Sequence, residues 1–481
     1  YLFYVIRDEE TLLPYKLFRH EIGTSQEKDV AIYEEKDTTF YLSVGNTRSM
    51  EYIEVNISST TSSEVRLIKS DSPDMNPQIF LSREEDHLYS VDHDPASSRF
   101  LIESNWKALN FRLLETNLND SSDKNKWKEL IPHREQVLLQ SVIPFPDHLI
   151  IMERENGLRK LKILHKESKA VKEINFNDPT YTAYLASNPE YYVDRFYFGY
   201  SSMRTPDSLF SVMLSSGRKR LLKEAEVKGS FSSGDYKVDR EFVTARDGTQ
   251  VPVSIVYKKN KFIKNGNPIF FYGYGSYGNS IDAGFSSSRL SLLDRGFIFA
   301  IAHVRGGQEL GRSWYEDGKI FNKLNTFYDF IDVTKGLLDK GYGNKDRIYA
   351  GGGSAGGLLM GAIVNMEPNL YKGIISNVPF VDVITTMSDP SIPLTTGEYS
   401  EWGNPDIKEE FEYIMQYSPY DNISEQEYPS ILVTAGLWDS QVQYYEPAKY
   451  VAKLRDYNKG KNPILMKVNM TAGHSGVSGR F

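Results

Sequence analysis

From about residue 235 onward, short apolar, β-branched and aromatic runs alternate with segments of helical periodicity. The runs are VPVSIVY, PIFFYGYG, FIFAIAHV, RIYAGG, KGIISNV, SILVTAGL and PILMKVNM. They contain no polar alternation, so the strands that they predict must be buried on both faces. Segments such as TFYDFIDVTKGLLDKG and AGGLLMGAIVNM have the pattern of helices. This region therefore predicts an α/β fold with a mostly parallel, doubly wound sheet covered on both sides.

The first 230 residues follow a different pattern, in which two apolar strands flank a polar turn. Such strand pairs start at residues 1, 40, 99, 148 and 195. Repeated strand pairs at this spacing favour the blades of a β-propeller. Five pairs are too few for a complete ring, so we expect a propeller that is incomplete at its N-terminus. We place propeller blades at 1–230 and the α/β domain at 231–481, with the boundary in the Gly/Ser-rich segment KGSFSSGDYKVD.

Charge and composition exclude several classes of function. The 481 residues carry a formal net charge of −8 and include no cysteine. Nucleic-acid binding needs clustered Lys and Arg, and a membrane span needs about 18 consecutive apolar residues, so neither partner is expected. The lack of cysteine excludes disulfides, zinc–thiolate sites and a cysteine nucleophile. No H-E-x-x-H or comparable metal motif is present, so we expect no metal or cofactor. Neither a membrane span nor a signal peptide is seen, so we expect a soluble, cytoplasmic protein.

The segment 352–356, GGSAG, follows a predicted strand and precedes a predicted helix. It matches G-x-S-x-G, the nucleophile elbow, in which the serine occupies a strained turn and flanking glycines let strand and helix approach closely. A Gly-rich helix start that only packs closely is the alternative. We predict that Ser354 is an exposed nucleophile.

A serine nucleophile needs a base and an orienting carboxylate. The second half contains two histidines: His303 at the end of a strand, and His474 in a small-residue loop after the last strand. We favour His474, because a loop at the carboxyl edge of the sheet can present its imidazole. Asp439 directly follows a strand and lies between serine and histidine in chain order, so we assign it the orienting role. Its other interpretation is a helix cap, and its rivals are Asp382, Asp389 and Asp421.

Acyl transfer also requires donors for the oxyanion. The backbone N–H of Ala355 is one candidate, and the phenol of Tyr274 in YGYGSYG is the other. The glycines of that segment also spell G-x-G-x-x-G, a dinucleotide fingerprint. No helix follows it at once, and the next strand ends in Arg305 instead of an acidic residue, so we reject a nucleotide site.

With these residues in place, the chain resembles the prolyl oligopeptidase family of serine peptidases, and within it the oligopeptidase B branch. The resemblance rests on collinear stretches, among them YGYGSYG, HVRGGQELG, GGSAGGLLMG, IPLTTGE, EWGNP, DSQVQYYEPAKYVAKLR and SGRF. It implies an α/β-hydrolase domain capped by a seven-bladed β-propeller that admits short peptides to a cavity between the two. It also implies that the first blades, an N-terminal catalytic segment and a C-terminal helix have no counterpart here.

The resemblance further implies cleavage after Arg or Lys, with a preference for basic pairs, through acidic pocket residues. One acid of the first pocket carries over onto Glu398, while the second falls on Ser400, with Glu401 adjacent. One acid of the second pocket carries over onto Asp282, while its partner position is Gly284. A solvated loop and a turn are the alternatives for the two retained acids.

The sequence as a whole predicts a serine oligopeptidase whose partners are short basic peptides. An esterase or thioesterase on the same machinery is one alternative. A non-catalytic interaction protein with a vestigial triad is the other.

Overall fold

A computed structural model describes residues 1–476 of the chain, so the SGRF stretch at 478–481 lies outside the described residues. The first half contains one three-stranded and four four-stranded antiparallel sheets, each built from strands consecutive in sequence. The strands are β1 (Leu2–Arg7), β2 (Pro14–His20), β3 (Val30–Glu34), β4 (Tyr41–Asn46), β5 (Tyr52–Ser58), β6 (Ser63–Lys69), β7 (Gln78–Leu81), β8 (Tyr89–Asp94), β9 (Arg99–Ser104), β10 (Arg112–Thr116), β11 (Lys128–Ile131), β12 (Val137–Pro144), β13 (His148–Glu155), β14 (Leu158–His165), β15 (Val171–Ile174), β16 (Tyr181–Leu185), β17 (Arg195–Ser202), β18 (Ser208–Met213) and β19 (Lys219–Glu224).

These sheets are the blades of a β-propeller. All five predicted strand pairs form antiparallel hairpins, and each lies within a single sheet. Neighbouring blades pack face to face: Ile150 of β13 and Phe196 and Phe198 of β17 share one buried cluster. The repeated pairs therefore form a stack of blades, as the sequence predicted, because each blade buries its apolar faces against the next.

The second half contains an eight-stranded sheet of order β20-β21-β23-β22-β24-β25-β26-β27. Strands β20, β21 and β23 pair antiparallel, and every pairing from β23 to β27 is parallel. The strands are β20 (Tyr236–Thr244), β21 (Gln250–Lys258), β22 (Ile269–Tyr272), β23 (Ile298–Ala302), β24 (Ile348–Gly353), β25 (Gly373–Asn377), β26 (Ser430–Gly436) and β27 (Ile464–Asn469).

Helices cover this sheet on both faces, as the continuous apolar strands predicted. They are α1 (Ser287–Leu293), α2 (Arg312–Glu316), α3 (Leu324–Asp339), α4 (Ala355–Met366), α5 (Val383–Met387), α6 (Tyr399–Trp402), α7 (Lys408–Ile414) and α8 (Tyr445–Tyr457). Ile269 and Phe271 of β22 pack in the core formed with α3 and α4, while the alternating Phe270 packs in a second cluster with Leu293 of α1. This is the α/β-hydrolase architecture.

Strand β20 was not predicted from the sequence. This strand carries Lys237, Asp239, Arg240 and Glu241, and it pairs on one side only, with β21. A charged edge strand has no continuous apolar run to mark it. Its start lies inside the segment chosen as the boundary between the halves, and that boundary stays a prediction.

Several buried or half-buried polar contacts join the two halves. The Arg312 N–H donates to Asn110 Oδ1 at 2.7 Å, and the Phe285 N–H donates to Ser201 Oγ at 2.9 Å. Within residues 1–476, no helix has the length and apolarity to cross a membrane.

Candidate active site

Ser354 lies between the end of β24 and the start of α4, with φ 57° and ψ −121°. A non-glycine residue rarely adopts this conformation, and its neighbours hold it in place. The Ser354 N–H donates to the Asn377 carbonyl at 2.9 Å, and its carbonyl accepts from the N–H groups of Gly357 at 2.8 Å and Phe380 at 3.1 Å. The strained turn is therefore fixed by backbone hydrogen bonds on both sides of the serine.

The flanking glycines allow strand and helix to approach each other. A Cβ on Gly352 would lie 2.3 Å from the Gly356 carbonyl oxygen, and one on Gly356 would lie 2.8 Å from the Gly273 carbonyl oxygen. Both distances are too short for a real contact, so any side chain would force the elbow apart. Positions 352 and 356 therefore require glycine because strand and helix approach too closely for a Cβ, as the sequence suggested.

His474 and Asp439 meet at the carboxyl edge of the sheet. His474 Nδ1 lies 2.8 Å from Asp439 Oδ2. The other carboxylate oxygen accepts from the N–H groups of Gln441 and Val442, both at 2.9 Å, so Asp439 also caps the turn before α8. In the part of the chain that the structure describes, Ser354 Oγ does not hydrogen-bond to His474. The structure thus brings the predicted base, His474, and its predicted carboxylate, Asp439, into hydrogen-bond contact.

The rival residues make other contacts. His303 is buried and its Nε2 lies 2.7 Å from Ser254 Oγ. Asp382 pairs with Lys449, Asp389 accepts from Ser391, and Asp421 accepts from Ser418. None of these side chains hydrogen-bonds to His474 among the described residues.

The two predicted oxyanion donors flank Ser354. Ala355 is the first residue of α4, and Tyr274 lines the same cavity as Ser354. Burial raises the pKa of the Tyr274 phenol to about 12, so this group keeps its proton and can donate at neutral pH.

A cavity of about 250 Å³ opens beside Ser354. Its lining residues are Tyr274, Tyr277, Ser354, Phe380, Thr386, Met387, Pro393, Leu394, Thr395, Glu398, Gln441 and Val442. Glu398 is the only charged residue among them. The lining of this cavity therefore includes both the Ser354 hydroxyl and the Glu398 carboxylate.

Glu398 is held by two donors. Its Oε2 accepts from the Tyr277 hydroxyl at 2.8 Å and from Trp402 Nε1 at 2.7 Å. Burial raises the pKa of Glu398, although both hydrogen bonds oppose that shift. The site therefore presents a carboxylate that titrates above its ordinary range.

The structure does not bring Glu401 to the cavity. Its side chain is fully buried, and its oxygens accept from the Tyr277 N–H at 2.8 Å and from the Tyr315 hydroxyl at 2.5 Å. Burial raises the pKa of Glu401, while the charge of the buried Lys323 lowers it. Glu401 thus fixes the loop that carries Tyr277 and does not itself line the cavity.

Asp282 also lies away from the cavity lining, in contact with the propeller. Its Oδ1 lies 2.8 Å from Arg154 Nη2 and its Oδ2 lies 3.1 Å from Arg159 Nη2. The Thr182 hydroxyl donates to Oδ2 at 3.2 Å. Burial favours the protonated acid, but the two arginines outweigh it and hold the pKa of Asp282 below its usual value. This carboxylate is therefore already paired.

Tyr277, Trp402 and Lys323 support the site but were not predicted from the sequence. Tyr277 and Trp402 lie in the quoted stretches YGYGSYG and EWGNP, and Lys323 Nζ donates to the Gly275 carbonyl at 2.5 Å and to Ser276 Oγ at 2.8 Å. The sequence signal that could have identified Tyr277 is an aromatic residue directly before a glycine, in a segment that forms a tight turn. The structure shows that turn, because Tyr277 has a positive φ of 58°.

Family models match both halves of the chain. The model of the prolyl oligopeptidase family matches residues 283–481, and the model of the prolyl oligopeptidase N-terminal β-propeller domain matches residues 1–225.

Similar proteins cover the whole chain. A protein named dipeptidyl aminopeptidase BI from Pseudoxanthomonas mexicana is 46% identical over 482 residues, which cover 100% of this chain and 66% of that protein. Protease 2 from Moraxella lacunata is 43% identical over 481 residues, which cover 100% of this chain and 69% of that protein. The chain thus spans about two thirds of the length of these relatives.

Solved structures agree in fold. Oligopeptidase B from Leishmania major superposes with a TM-score of 0.93 at 39% identity, over 98% of this chain and 67% of that one. The closed form of oligopeptidase B from Trypanosoma brucei with covalently bound antipain gives a TM-score of 0.94 at 37% identity, over 98% and 68%. Together with the elbow and the His474–Asp439 contact, these likenesses show that the chain belongs to the prolyl oligopeptidase family of serine peptidases.

Proposed function

We propose that this chain acts as an oligopeptidase B-like serine peptidase that cleaves short peptides after Arg or Lys. The observation that carries the proposal is the cavity lined by both Ser354 and Glu398. A side chain that enters the cavity would bring its cation to the carboxylate while its backbone carbonyl lies at the serine. A cytoplasmic location and short basic peptides as partners are part of the same proposal.

The reaction would proceed through an acyl-enzyme. Ser354 Oγ attacks the scissile carbonyl, and His474 Nε2 takes the proton and returns it to the leaving amine. Asp439 holds the Nδ1–H of His474, and the Ala355 N–H and the Tyr274 hydroxyl donate to the oxyanion. Water then releases the peptide acid. The approach of His474 to Ser354 accompanies substrate binding, since catalytic hydrogen bonds often form only in the substrate complex.

A preference for basic pairs has less support. P1 is the substrate residue whose carbonyl is attacked. A preference for basic pairs requires a free carboxylate that binds the residue before P1, but Asp282 already binds Arg154 and Arg159. Two guanidinium groups and one carboxylate leave a net positive charge at that place. We therefore propose selectivity at P1 and treat the dibasic preference as a separate question for the assay.

A second mode of action is the release of N-terminal dipeptides. It is suggested by the name of the relative that is 46% identical to this chain. Substrates with free and with blocked α-amines distinguish it from endopeptidase action, because a dipeptidyl peptidase must recognise the free amine.

The test compares fluorogenic peptides that are identical except for Arg, Lys or Ala at P1. We expect Arg and Lys substrates to be turned over at least about 100-fold faster than the Ala substrate in kcat/KM, because a partly desolvated ion pair contributes several kcal/mol. Glu398→Gln should remove this preference and retain Ala turnover.

Ser354→Ala is the control for the nucleophile and should abolish turnover of all three substrates. Equal rates for Arg, Lys and Ala would contradict the proposed specificity. Ester hydrolysis without any peptide hydrolysis would indicate that the protein is an esterase and not a peptidase.

A further inference from the structure

The two oxygens of the Glu398 carboxylate have different surroundings. Oε2 accepts from the Tyr277 hydroxyl at 2.8 Å and from Trp402 Nε1 at 2.7 Å. A carboxylate oxygen has two lone-pair positions, and an indole N–H can only donate. These two hydrogen bonds therefore occupy the accepting capacity of Oε2.

Oε1 has no such partner. None of the described residues donates a hydrogen bond to it, and it is not enclosed, since Glu398 lines the cavity that also contains Ser354. A cation that enters the cavity meets one free oxygen of Glu398.

The Tyr277 donor is held in advance of any substrate. Its backbone has a φ of 58°, an uncommon value for an aromatic residue, and its N–H donates to Glu401 Oε1 at 2.8 Å. Its ring packs edge-on against Trp402, with centroids 5.5 Å apart. Glu401 is itself fixed by the Tyr315 hydroxyl at 2.5 Å. The buried Glu401 thus sets the position from which Tyr277 reaches Glu398.

We propose that Tyr277 and Trp402 restrict Glu398 to a single accepting oxygen, so that the pocket recognises a point charge and discriminates little between Lys and Arg. Arg gains over Lys mainly where its planar fork binds both oxygens of a carboxylate. With Oε2 occupied, the guanidinium forms a single-oxygen contact, as an ammonium does. This inference rests on the proposed function, because it concerns the same pocket.

The first experiment measures kcat/KM for matched Arg and Lys substrates in the wild type and in Tyr277→Phe. The wild-type Arg:Lys ratio should lie within about threefold of one, and the variant should raise it by at least about threefold, since a lone pair on Oε2 becomes free for the fork. Trp402→Phe removes the other donor and should shift the ratio in the same direction. This second variant tests the inference if Tyr277→Phe does not fold.

Tyr417→Phe is the matched control. The Tyr417 ring is buried in the same half, and its hydroxyl has no hydrogen-bond partner among the described residues. The ratio should stay at the wild-type value. A wild-type Arg preference above about tenfold would overturn the inference, and so would a ratio that Tyr277→Phe and Trp402→Phe both leave unchanged.

A binding measurement separates this inference from the proposed function. Calorimetry with Ser354→Ala compares n-butylguanidine and n-pentylamine, which carry the two head groups without a scissile bond. Similar Kd values that diverge in Ser354→Ala/Tyr277→Phe support the inference even if no peptide is cleaved. A strong preference for the guanidine in Ser354→Ala overturns it, whatever the activity of the enzyme.

Discussion

At the scale of single residues, the site depends on a few glycines at which a side chain would clash with the neighbouring backbone. Ser354 keeps a strained conformation because the glycines around it let β24, α4 and the 273–275 turn approach within contact distance. The effect of replacing each of these glycines by alanine can be predicted, because the atom that the new Cβ would meet is known.

Gly352→Ala should disrupt the elbow, because its Cβ would lie 2.3 Å from the Gly356 carbonyl oxygen. We expect a loss of about 1 to 3 kcal/mol in the free energy of unfolding and a large loss of kcat. Gly353→Ala is the control, since its Cβ would meet nothing closer than the Asn377 carbonyl oxygen at 3.4 Å. Urea unfolding of the two variants checks the prediction, and equal stability losses would contradict it.

The preference for basic substrates should depend on pH. Burial raises the pKa of Glu398 above its ordinary value of 4.5, so the carboxylate loses its charge at a higher pH than a solvated one. The ratio of kcat/KM for Arg over Ala substrates should therefore fall as the pH is lowered from about 8 to 5. A change that affects only the shared catalytic step alters both substrates alike and cancels in the ratio. A ratio that stays constant over this range would show that Glu398 does not set the preference.

At the scale of elements, α8 supports one wall of the cavity. Glu446 in its first turn accepts from the N–H groups of Val381 at 2.6 Å and Asp382 at 2.7 Å, and from the Thr386 hydroxyl at 2.9 Å. Thr386 lines the cavity, so a buried carboxylate on α8 holds the segment that shapes it.

This contact makes stability depend on pH. Burial raises the pKa of Glu446 to about 7 from 4.5. Between these values the unfolded chain loses the proton that the folded protein retains, so stability falls as the pH rises and the whole penalty is present above about 7. Glu446→Gln should reduce the difference in unfolding free energy between pH 5 and pH 8 by an amount on the order of 2 kcal/mol.

Urea unfolding at the two pH values measures this difference. The exposed Glu427→Gln is the matched control and should retain the wild-type pH dependence. If Glu446→Gln also retains the wild-type pH dependence of the unfolding free energy, the Glu446 carboxylate does not cause that dependence.

The sequence predicted elements better than contacts between them. Seven of the eight central strands and the segment that became α4 were readable, because a buried strand and a helix each have a short-range period. The charged edge strand β20 was not. Nor could the sequence tell that Glu401 supports a loop or that Asp282 pairs with arginines, because Asp282 and Arg154 are 128 residues apart. The Asp282–Arg154 pair forms only when the two halves pack.

At the scale of the whole molecule, Asp282 joins the α/β domain to the propeller. Arg154 and Arg159 lie on the strands of one blade, β13 and β14, and Thr182 lies on β16 of the next. The Arg154 side chain is 1% exposed, so the pair is removed from solvent. One carboxylate therefore ties two blades to the catalytic half.

Asp282→Asn should weaken this interface, because it leaves two arginines without their counter-charge, a change that typically costs about 3 to 5 kcal/mol. We expect kcat/KM to fall by a similar factor on dibasic and monobasic substrates, so that their ratio does not change. Asp346→Asn, at an exposed position, is the control. A selective loss on dibasic substrates would instead assign Asp282 to substrate binding.

Covalent labelling tests whether Ser354 and Glu398 act together in one site. Peptidyl diphenyl phosphonates with Arg or Ala at P1 are reacted with the protein, inactivation rates are measured, and the adduct is located by mass spectrometry. Both reagents should label Ser354, the Arg reagent should react at least about 100-fold faster, and Glu398→Gln should remove the difference. Labelling at another residue, or equal rates in the wild type, would show that Ser354 and Glu398 do not act together.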